Sequence, residues 1–129
     1  MEPIRISRVG SLAERTAQLA IELRVSNLPN SIAFYQEAGL VLERRTPTFA
    51  AMQIGGRYLL LSEAGPVEVG ATRPNIRIIV DDVDRSLSRA QKLGWTIKHA
   101  LADRGYGLRD FVVDDPDGYE VRFAALSEG

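Results

Sequence analysis

Short segments in which apolar and polar residues alternate occur along the chain, and each predicts a β-strand with one buried face. Ile21-Glu22-Leu23-Arg24-Val25 alternates with a period of two, which is typical of a half-buried strand. Asn27 then predicts the N-cap of a helix, which ends at Gly39 because glycine tolerates a left-handed backbone. A β-α-β-β-β order is completed by three further predicted strands, Val41–Arg45, Phe49–Ile54 and Tyr58–Ser62.

The same order of elements recurs 55 residues later in the chain. Ile21–Arg45 aligns with Ile76–Ala100 without a gap, and Asp82 and Gly94 take the places of the helix cap and the helix-ending glycine. The last strands are predicted at Leu108–Asp114 and Tyr119–Ala124, on either side of the turn Asp115-Pro116-Asp117-Gly118. Such self-similarity indicates a repeated structural unit.

The repeat predicts a single α+β domain, in which two βαβββ modules form a curved mixed sheet with a concave cleft. Module one covers about residues 18–62, the linker residues 63–73 and module two about residues 74–125. In the leader before residue 18, Ser11-Leu12-Ala13-Glu14 has the spacing of a capping box. A short helix and a frayed terminus both fit that leader.

Composition narrows the classes of function. The chain has 129 residues, of which 45% are hydrophobic and 26% charged, and its formal net charge is −1. We expect no nucleic-acid partner, because phosphate binding needs a clustered excess of Lys and Arg. No apolar run is long enough for a membrane span, and Met1–Arg5 does not resemble a signal peptide. The absence of cysteine excludes disulfides and thiolate metal sites, so a cytoplasmic protein is expected.

One face of the predicted sheet is polar. Strand alternation places on this face, opposite the helices, the side chains of Glu22, Arg24, Tyr58, Asn75, Arg77, Glu120 and Arg122. An ordinary solvated sheet face would have the same pattern. If the two modules curl towards each other, however, the polar face becomes concave and is a candidate ligand-binding surface.

Other residues that could act in catalysis or metal binding have simpler explanations. The only histidine, His99, is predicted to be a surface or packed residue. Helix capping and turn formation account for the acidic pairs Asp81-Asp82 and Asp114-Asp115. The chain has no P-loop and no dinucleotide-binding fingerprint.

Three segments carry a resemblance to a known family. They are Leu23–Leu28 with Ser31–Tyr35 and Gly39-Leu40, then Ile79–Asp84, and finally Phe111–Val113 with Asp115–Tyr119. Together they resemble the vicinal-oxygen-chelate superfamily of glyoxalases, bleomycin-resistance proteins and extradiol dioxygenases, over about residues 18–125. The resemblance implies the paired βαβββ fold, which hosts several unrelated functions.

In the metal-using members of that superfamily, four side chains on the concave face hold one divalent ion. The resemblance places these positions at Ala20, Leu60, Asn75 and Arg122. Alanine and leucine cannot ligate, arginine is a permanent cation, and asparagine is a poor neutral ligand. We therefore expect no metal and no cofactor. A register slip of two residues would instead offer Glu22 and Glu120.

The C-terminal stretch resembles the metal-free bleomycin-resistance branch, whose members are homodimers with ligand grooves between subunits. In that branch, an aromatic residue followed by glycine helps to line the groove. Tyr106 stands at the matching position in this chain, and Arg109, close by, is a further candidate ligand-binding residue. Arg24, Arg77 and Arg122 outnumber the acidic residues of the polar face, which favours an anionic or polar, partly planar ligand.

The leading hypothesis is therefore a metal-independent, homodimeric protein that binds or sequesters a small molecule, in the manner of an antibiotic-resistance protein. The alternative is a small enzyme of the same superfamily, a lyase, isomerase or dioxygenase with a non-standard metal site. A module that binds a ligand and reports it to a partner protein is a third possibility.

Overall fold

The structure is a computed structural model, and it describes residues 20–68, 74–104 and 107–126. Module one consists of β1 (Ala20–Val25), α1 (Leu28–Glu37), β2 (Val41–Arg45), β3 (Phe49–Ile54) and β4 (Arg57–Glu63). Module two consists of β5 (Asn75–Ile79), α2 (Val83–Lys92), β6 (Ile97–Asp103), β7 (Leu108–Asp114) and β8 (Glu120–Leu126). The predicted order of elements is confirmed in both modules. The capping box predicted at Ser11–Glu14 lies outside the described residues.

Each module forms its own four-stranded mixed sheet. The strand orders are β1-β4-β3-β2 and β5-β8-β7-β6. The first strand of each module runs parallel to the last, and the other pairs are antiparallel. A strand–helix–strand crossover permits the parallel pairs, whereas short turns connect the antiparallel ones. The α+β fold of two βαβββ modules is thus confirmed, with the eight described strands divided between two sheets.

Side-chain caps start both helices where the sequence predicts them. The carboxamide of Asn27 accepts a hydrogen bond from the Asn30 amide at 3.0 Å, and the Asp82 carboxylate accepts one from the Arg85 amide at 3.1 Å. A second carboxylate, that of Glu63 on β4, accepts the Leu28 amide at 2.7 Å. These contacts satisfy amide groups that the first helical turn leaves unpaired. Both helices have ten residues, too few to cross a membrane.

The two modules share one hydrophobic core. The inward faces of both sheets are buried, for example at Leu23, Leu61, Phe111 and Val121. Alternation along β1 puts Ile21 on the same face as the buried Leu23 and Val25, but Ile21 is 50% exposed. Its position at the start of an edge strand gives the side chain a neighbouring strand on one flank only, that of β4.

Helix α1 connects the modules through two neighbouring aromatic side chains. Phe34 stacks on Trp95 of module two with ring centroids 4.4 Å apart. The buried Tyr35 hydroxyl donates a 2.6 Å hydrogen bond to Asp115 Oδ2. Asp115 Oδ1 in turn accepts the backbone amides of Asp117 and Tyr119. The predicted turn-forming role of Asp115 is therefore confirmed, and the same carboxylate also ties module two to module one.

Candidate functional site

The polar face of module two places two predicted site arginines side by side. In the parallel register of β5 and β8, Arg77 is the partner of Arg122 and Asn75 is the partner of Glu120. Partners in register point to the same face of a sheet. The structure thus brings these four predicted residues together on one surface.

A buried aspartate that sequence reasoning missed lies at the centre of this face. Asp110 on β7 is fully buried, and its Oδ1 accepts Arg122 Nη1 at 2.8 Å and Arg104 Nε at 2.7 Å. Burial alone would raise the pKa of Asp110, but hydrogen bonds and charge from the two arginines outweigh burial and lower that pKa. Asp110 therefore remains ionised and holds Arg122 in place. Alternation along β7 could have placed Asp110 on the polar face, since residues separated by an even number of positions in a strand face the same side.

Arg122 is only partly satisfied by this ion pair. Its side chain is 16% exposed, and the buried Nε atom has no hydrogen-bond partner in the described part of the chain. A buried N–H without a partner costs about 1–3 kcal/mol. The neighbourhood is enclosed, because Val112 and Ala124 on the same face are also fully buried. The face is consequently not an ordinary solvated sheet surface at this point.

A second ion-paired group lies at the other end of the same face. Lys98 Nζ is 3.1 Å from Glu120 Oε1 and 3.6 Å from Asp114 Oδ1. The negative charge of Glu120 is thus paired with the ammonium group of Lys98. This pairing weakens the interpretation of Glu120 as a metal ligand or general base. His99, next to Lys98 in sequence, is exposed.

On module one the predicted polar residues are more open to solvent. Glu22 and Arg24 are exposed, and their register partners on β4 are Leu60 and Ser62. Tyr58 is half-buried, and a hydrogen bond and charge from the Glu43 carboxylate raise the pKa of its hydroxyl. At ordinary pH Tyr58 is therefore a neutral hydroxyl group.

Two predicted site residues are not brought to this surface by the described structure. Arg109 lies in register with the buried Ala125, and its Nη1 donates to Asp84 Oδ2 on helix α2 at 2.9 Å. It therefore lies on the helix side of the sheet, because its neighbour Asp110 occupies the polar side. Tyr106 lies outside the described residues.

An apolar cavity of about 320 Å³ opens where the start of β1 meets the start of β5. Six aliphatic side chains line it, namely Ile21, Leu40, Ile54, Leu59, Ile76 and Ile78. Four polar residues also line it, namely Arg57, Tyr58, Asn75 and Arg77. A concave apolar site with a few polar groups is the usual form of a small-molecule site. Sequence analysis predicted three of the polar residues but not the cavity itself.

The residues at the four positions where the resemblance implies metal ligands are poorly suited to a divalent ion. Ala20 and Leu60 offer no donor atom, and the guanidinium group of Arg122 is hydrogen-bonded to Asp110. Within residues 20–68, 74–104 and 107–126, no group of three or more His, Cys, Asp or Glu side chains is arranged to hold a metal. A positive charge at the Arg122 position would repel a cation.

Comparisons with known proteins agree with the fold. Uncharacterised protein Mb0911c of Mycobacterium bovis is 31% identical over 118 residues, which covers 78% of each chain. A solved glyoxalase/bleomycin resistance protein/dioxygenase family enzyme from Burkholderia phytofirmans superposes with a TM-score of 0.75 at 20% identity, covering 86% of this chain and 100% of that one. Lactoylglutathione lyase from Agrobacterium tumefaciens has a TM-score of 0.68 at 20% identity, covering 85% and 93%.

Both structural matches have low sequence identity, so they support the fold and not a shared activity. The family model of the Glyoxalase/Bleomycin resistance protein/Dioxygenase superfamily matches residues 17–123. This range covers module one and all of module two except the end of β8. The chain belongs to the glyoxalase/bleomycin resistance protein/dioxygenase superfamily.

Proposed function

We propose that this protein is a metal-independent small-molecule binding or sequestering protein that acts as a homodimer. Its ligand has an apolar, partly planar body and an anionic or polar group. The observation that carries the proposal is the cavity of about 320 Å³ at the starts of β1 and β5. That volume lies at the lower end of the range for small-molecule sites, which suits a ligand of one or two rings.

The chemistry of the cavity wall supports this ligand class. Aliphatic side chains favour an apolar body, because its transfer from water gains about 25 cal/mol for each Å² buried. Of the polar residues that line the cavity, Arg57 and Arg77 are cationic, and Tyr58 and Asn75 are neutral. None of the described residues that line the cavity is acidic, so an anionic ligand meets no like charge from them.

The side chains at the family's metal positions support metal independence. An aliphatic residue stands at two of these positions, and the ion pair of Arg122 with Asp110 stands at a third. The bleomycin-resistance branch, which the C-terminal stretch resembles, provides a precedent for sequestration without metal. Among the described residues, Glu22 and Glu120 belong to no group of three or more acidic, His or Cys side chains arranged to hold a metal.

The first experiment titrates 1-naphthoate, a planar carboxylate, into the protein by calorimetry. Ile21→Trp places a bulky side chain at the cavity wall. Its matched control is Val41→Trp, at a similarly exposed position (56%, against 50% for Ile21) that does not line the cavity. We expect one site per chain in the unsubstituted protein and the control. Binding to Ile21→Trp should be weaker by about tenfold or more, because overpacking costs about 1–3 kcal/mol.

The same samples test metal independence and the oligomeric state. We expect binding to be unchanged by EDTA, and elemental analysis after soaking in divalent metal and dialysis to find far less than one equivalent. Light scattering should give the mass of a dimer. One equivalent of divalent metal per chain, or equal affinities of Ile21→Trp and Val41→Trp, would contradict the proposal.

A further inference from the structure

We propose that Arg57 binds the anionic group of the ligand and thereby sets the direction in which the ligand enters the cavity. This inference rests on the proposed function and specifies the ligand class further, as a monoanion whose charged group lies at one end of an apolar body. Of the two arginines that line the cavity, only Arg57 shares a sheet face with the aliphatic lining.

Strand alternation separates the two arginines that line the cavity. On β4, Arg57 and Leu59 are two residues apart and therefore face the same side of the sheet. On β5, Arg77 lies between Ile76 and Ile78 and faces the side opposite to theirs. The three aliphatic residues Leu59, Ile76 and Ile78 all line the cavity. The side chain of Arg57 is thus on the cavity side of its sheet, and that of Arg77 is on the other side.

A tight hairpin holds Arg57 beside the cavity. Arg57 is the register partner of Ile54, which also lines the cavity, and the two residues are joined by Gly55 and Gly56. Both glycines have positive φ, at +56° and +76°, as a two-residue hairpin turn of type I′ requires. The Gln53 side chain accepts a hydrogen bond from the Gly56 amide at 3.4 Å. The backbone that carries Arg57 is therefore fixed by both the sheet and the turn.

Burial along the lining gives the cavity a closed apolar end and an open charged end. Leu40, Leu59 and Ile78 are buried, whereas Ile54 and Arg57 are exposed. An apolar group gains most beside the buried side chains, because there it leaves water most completely. A carboxylate at that end would lose its hydration without gaining a partner, but at the open end it keeps water and meets Arg57. The ligand therefore enters with its apolar end first and leaves its charge at the hairpin.

The charge of Arg57 is available to a ligand. Among the described residues, no carboxylate forms an ion pair with Arg57. A guanidinium group can donate two parallel hydrogen bonds to the two oxygens of a carboxylate. Because Arg57 is exposed, this pair should be weaker than a buried one and should be screened by salt.

The test compares 1-naphthoate with its neutral analogue 1-naphthylmethanol by calorimetry on the whole protein. For Arg57→Gln we expect naphthoate to bind about three- to tenfold more weakly, because a bidentate ion pair is lost at an open site. Affinity for naphthylmethanol should change by less than about twofold. Arg77→Gln is the matched control, since it removes the same charge from the opposite side of a sheet. Its ratio of the two affinities should remain that of the unsubstituted protein.

Charge reversal and salt give two further readouts. Arg57→Glu should bind naphthoate more weakly still, and it should bind the cation 1-naphthylmethylammonium more tightly than the unsubstituted protein does. Retained affinity for naphthylmethanol shows that each variant keeps an intact cavity. Raising the salt concentration from about 0.05 M to about 0.5 M should bring the naphthoate affinity of the unsubstituted protein close to that of Arg57→Gln.

The outcomes separate this inference from the proposed function. If both compounds bind and Arg57→Gln weakens naphthoate no more than Arg77→Gln does, the role of Arg57 is refuted while the proposed function stands. Equal weakening of both compounds by Arg57→Gln also refutes that role, because recognition of charge must discriminate between them. If neither compound binds the unsubstituted protein, the proposed function itself fails, and this inference fails with it.

Discussion

The hydrogen bond between Tyr35 and Asp115 offers a direct test of how the two modules are held together. Tyr35→Phe removes a hydroxyl that lies 2.6 Å from a carboxylate oxygen, with both residues buried. Burial and the nearby Asp115 charge raise the pKa of Tyr35, so the hydroxyl is a donor at any ordinary pH. The two backbone donors of the turn bind Oδ1. The substitution therefore removes the Tyr35 hydroxyl that donates to Oδ2, and no turn amide takes its place.

The expected cost follows from these contacts. A buried hydrogen bond to a charged group contributes about 1.5–3 kcal/mol, whereas one between neutral groups contributes about 0.5–1.5 kcal/mol. We expect Tyr35→Phe to lower the free energy of unfolding by about 2 kcal/mol at pH 7. Tyr119→Phe is the matched control, because its hydroxyl also joins the modules but donates to a neutral acceptor, the Arg24 carbonyl, at 2.8 Å. It should cost about 1 kcal/mol.

The pH dependence separates the two variants further. Burial raises the pKa of Asp115, and the hydrogen bonds from Tyr35 and from two backbone amides only partly offset that rise. A raised pKa in the folded state contributes stability at low pH, and this contribution is lost as pH increases through the folded value. Without the Tyr35 hydroxyl the folded pKa rises further. The cost of Tyr35→Phe should therefore be larger at pH 7 than at pH 4, whereas the cost of Tyr119→Phe should change much less.

The assay is urea unfolding followed by circular dichroism, for the unsubstituted protein and both variants at the two pH values. The linear extrapolation gives each free energy of unfolding. Equal costs for the two variants, or a cost of Tyr35→Phe that does not fall on acidification, would refute the reasoning that an ionised buried acceptor links the modules.

Two further predictions concern the polar face and the first helix. Because the arginines hold the pKa of Asp110 below its usual range despite burial, Asp110 contributes stability above its unfolded pKa that is lost as pH falls towards the folded value. Asp110→Asn should reduce the acid sensitivity of the melting temperature between about pH 4 and pH 2, and an unchanged slope would contradict this. Asn27→Ala removes the cap of α1 and should lower the free energy of unfolding by about 0.5–2 kcal/mol in urea. Ala33→Ser, on the exposed side of α1, is the control and should cost less than 0.5 kcal/mol.

Local pattern was sufficient to predict the elements because each signal is contained within a few residues. Alternation specifies which strand residues share a face, and a polar cap such as Asn27 or Asp82 satisfies amides only three residues away. The same local rule would have separated Arg109 from Asp110, since neighbours in a strand face opposite sides. Extending the alternation to β7 would thus have placed Arg109 on the helix side and Asp110 on the polar face.

The partners of Asp110 could not be predicted from sequence in the same way. Arg122 reaches Asp110 from an adjacent strand, and this contact depends on the register of β7 against β8. Arg104 reaches it across the β6–β7 connection, at a separation of six residues. The cavity depends on longer distances still, because Ile21 and Ile76 belong to different modules whose relative placement no local signal encodes.

The sequence by itself determined the two βαβββ modules and their caps and turns. All of these follow from residue type and from short-range periodicity. Tertiary structure alone decided that Ile21 is half exposed beside a cavity, that Asp110 is buried between two arginines, and that Arg122 retains an unpaired N–H. Each of these features results from packing and register between segments far apart in the chain, where the free energy depends on which surfaces meet and not on the order of neighbouring residues.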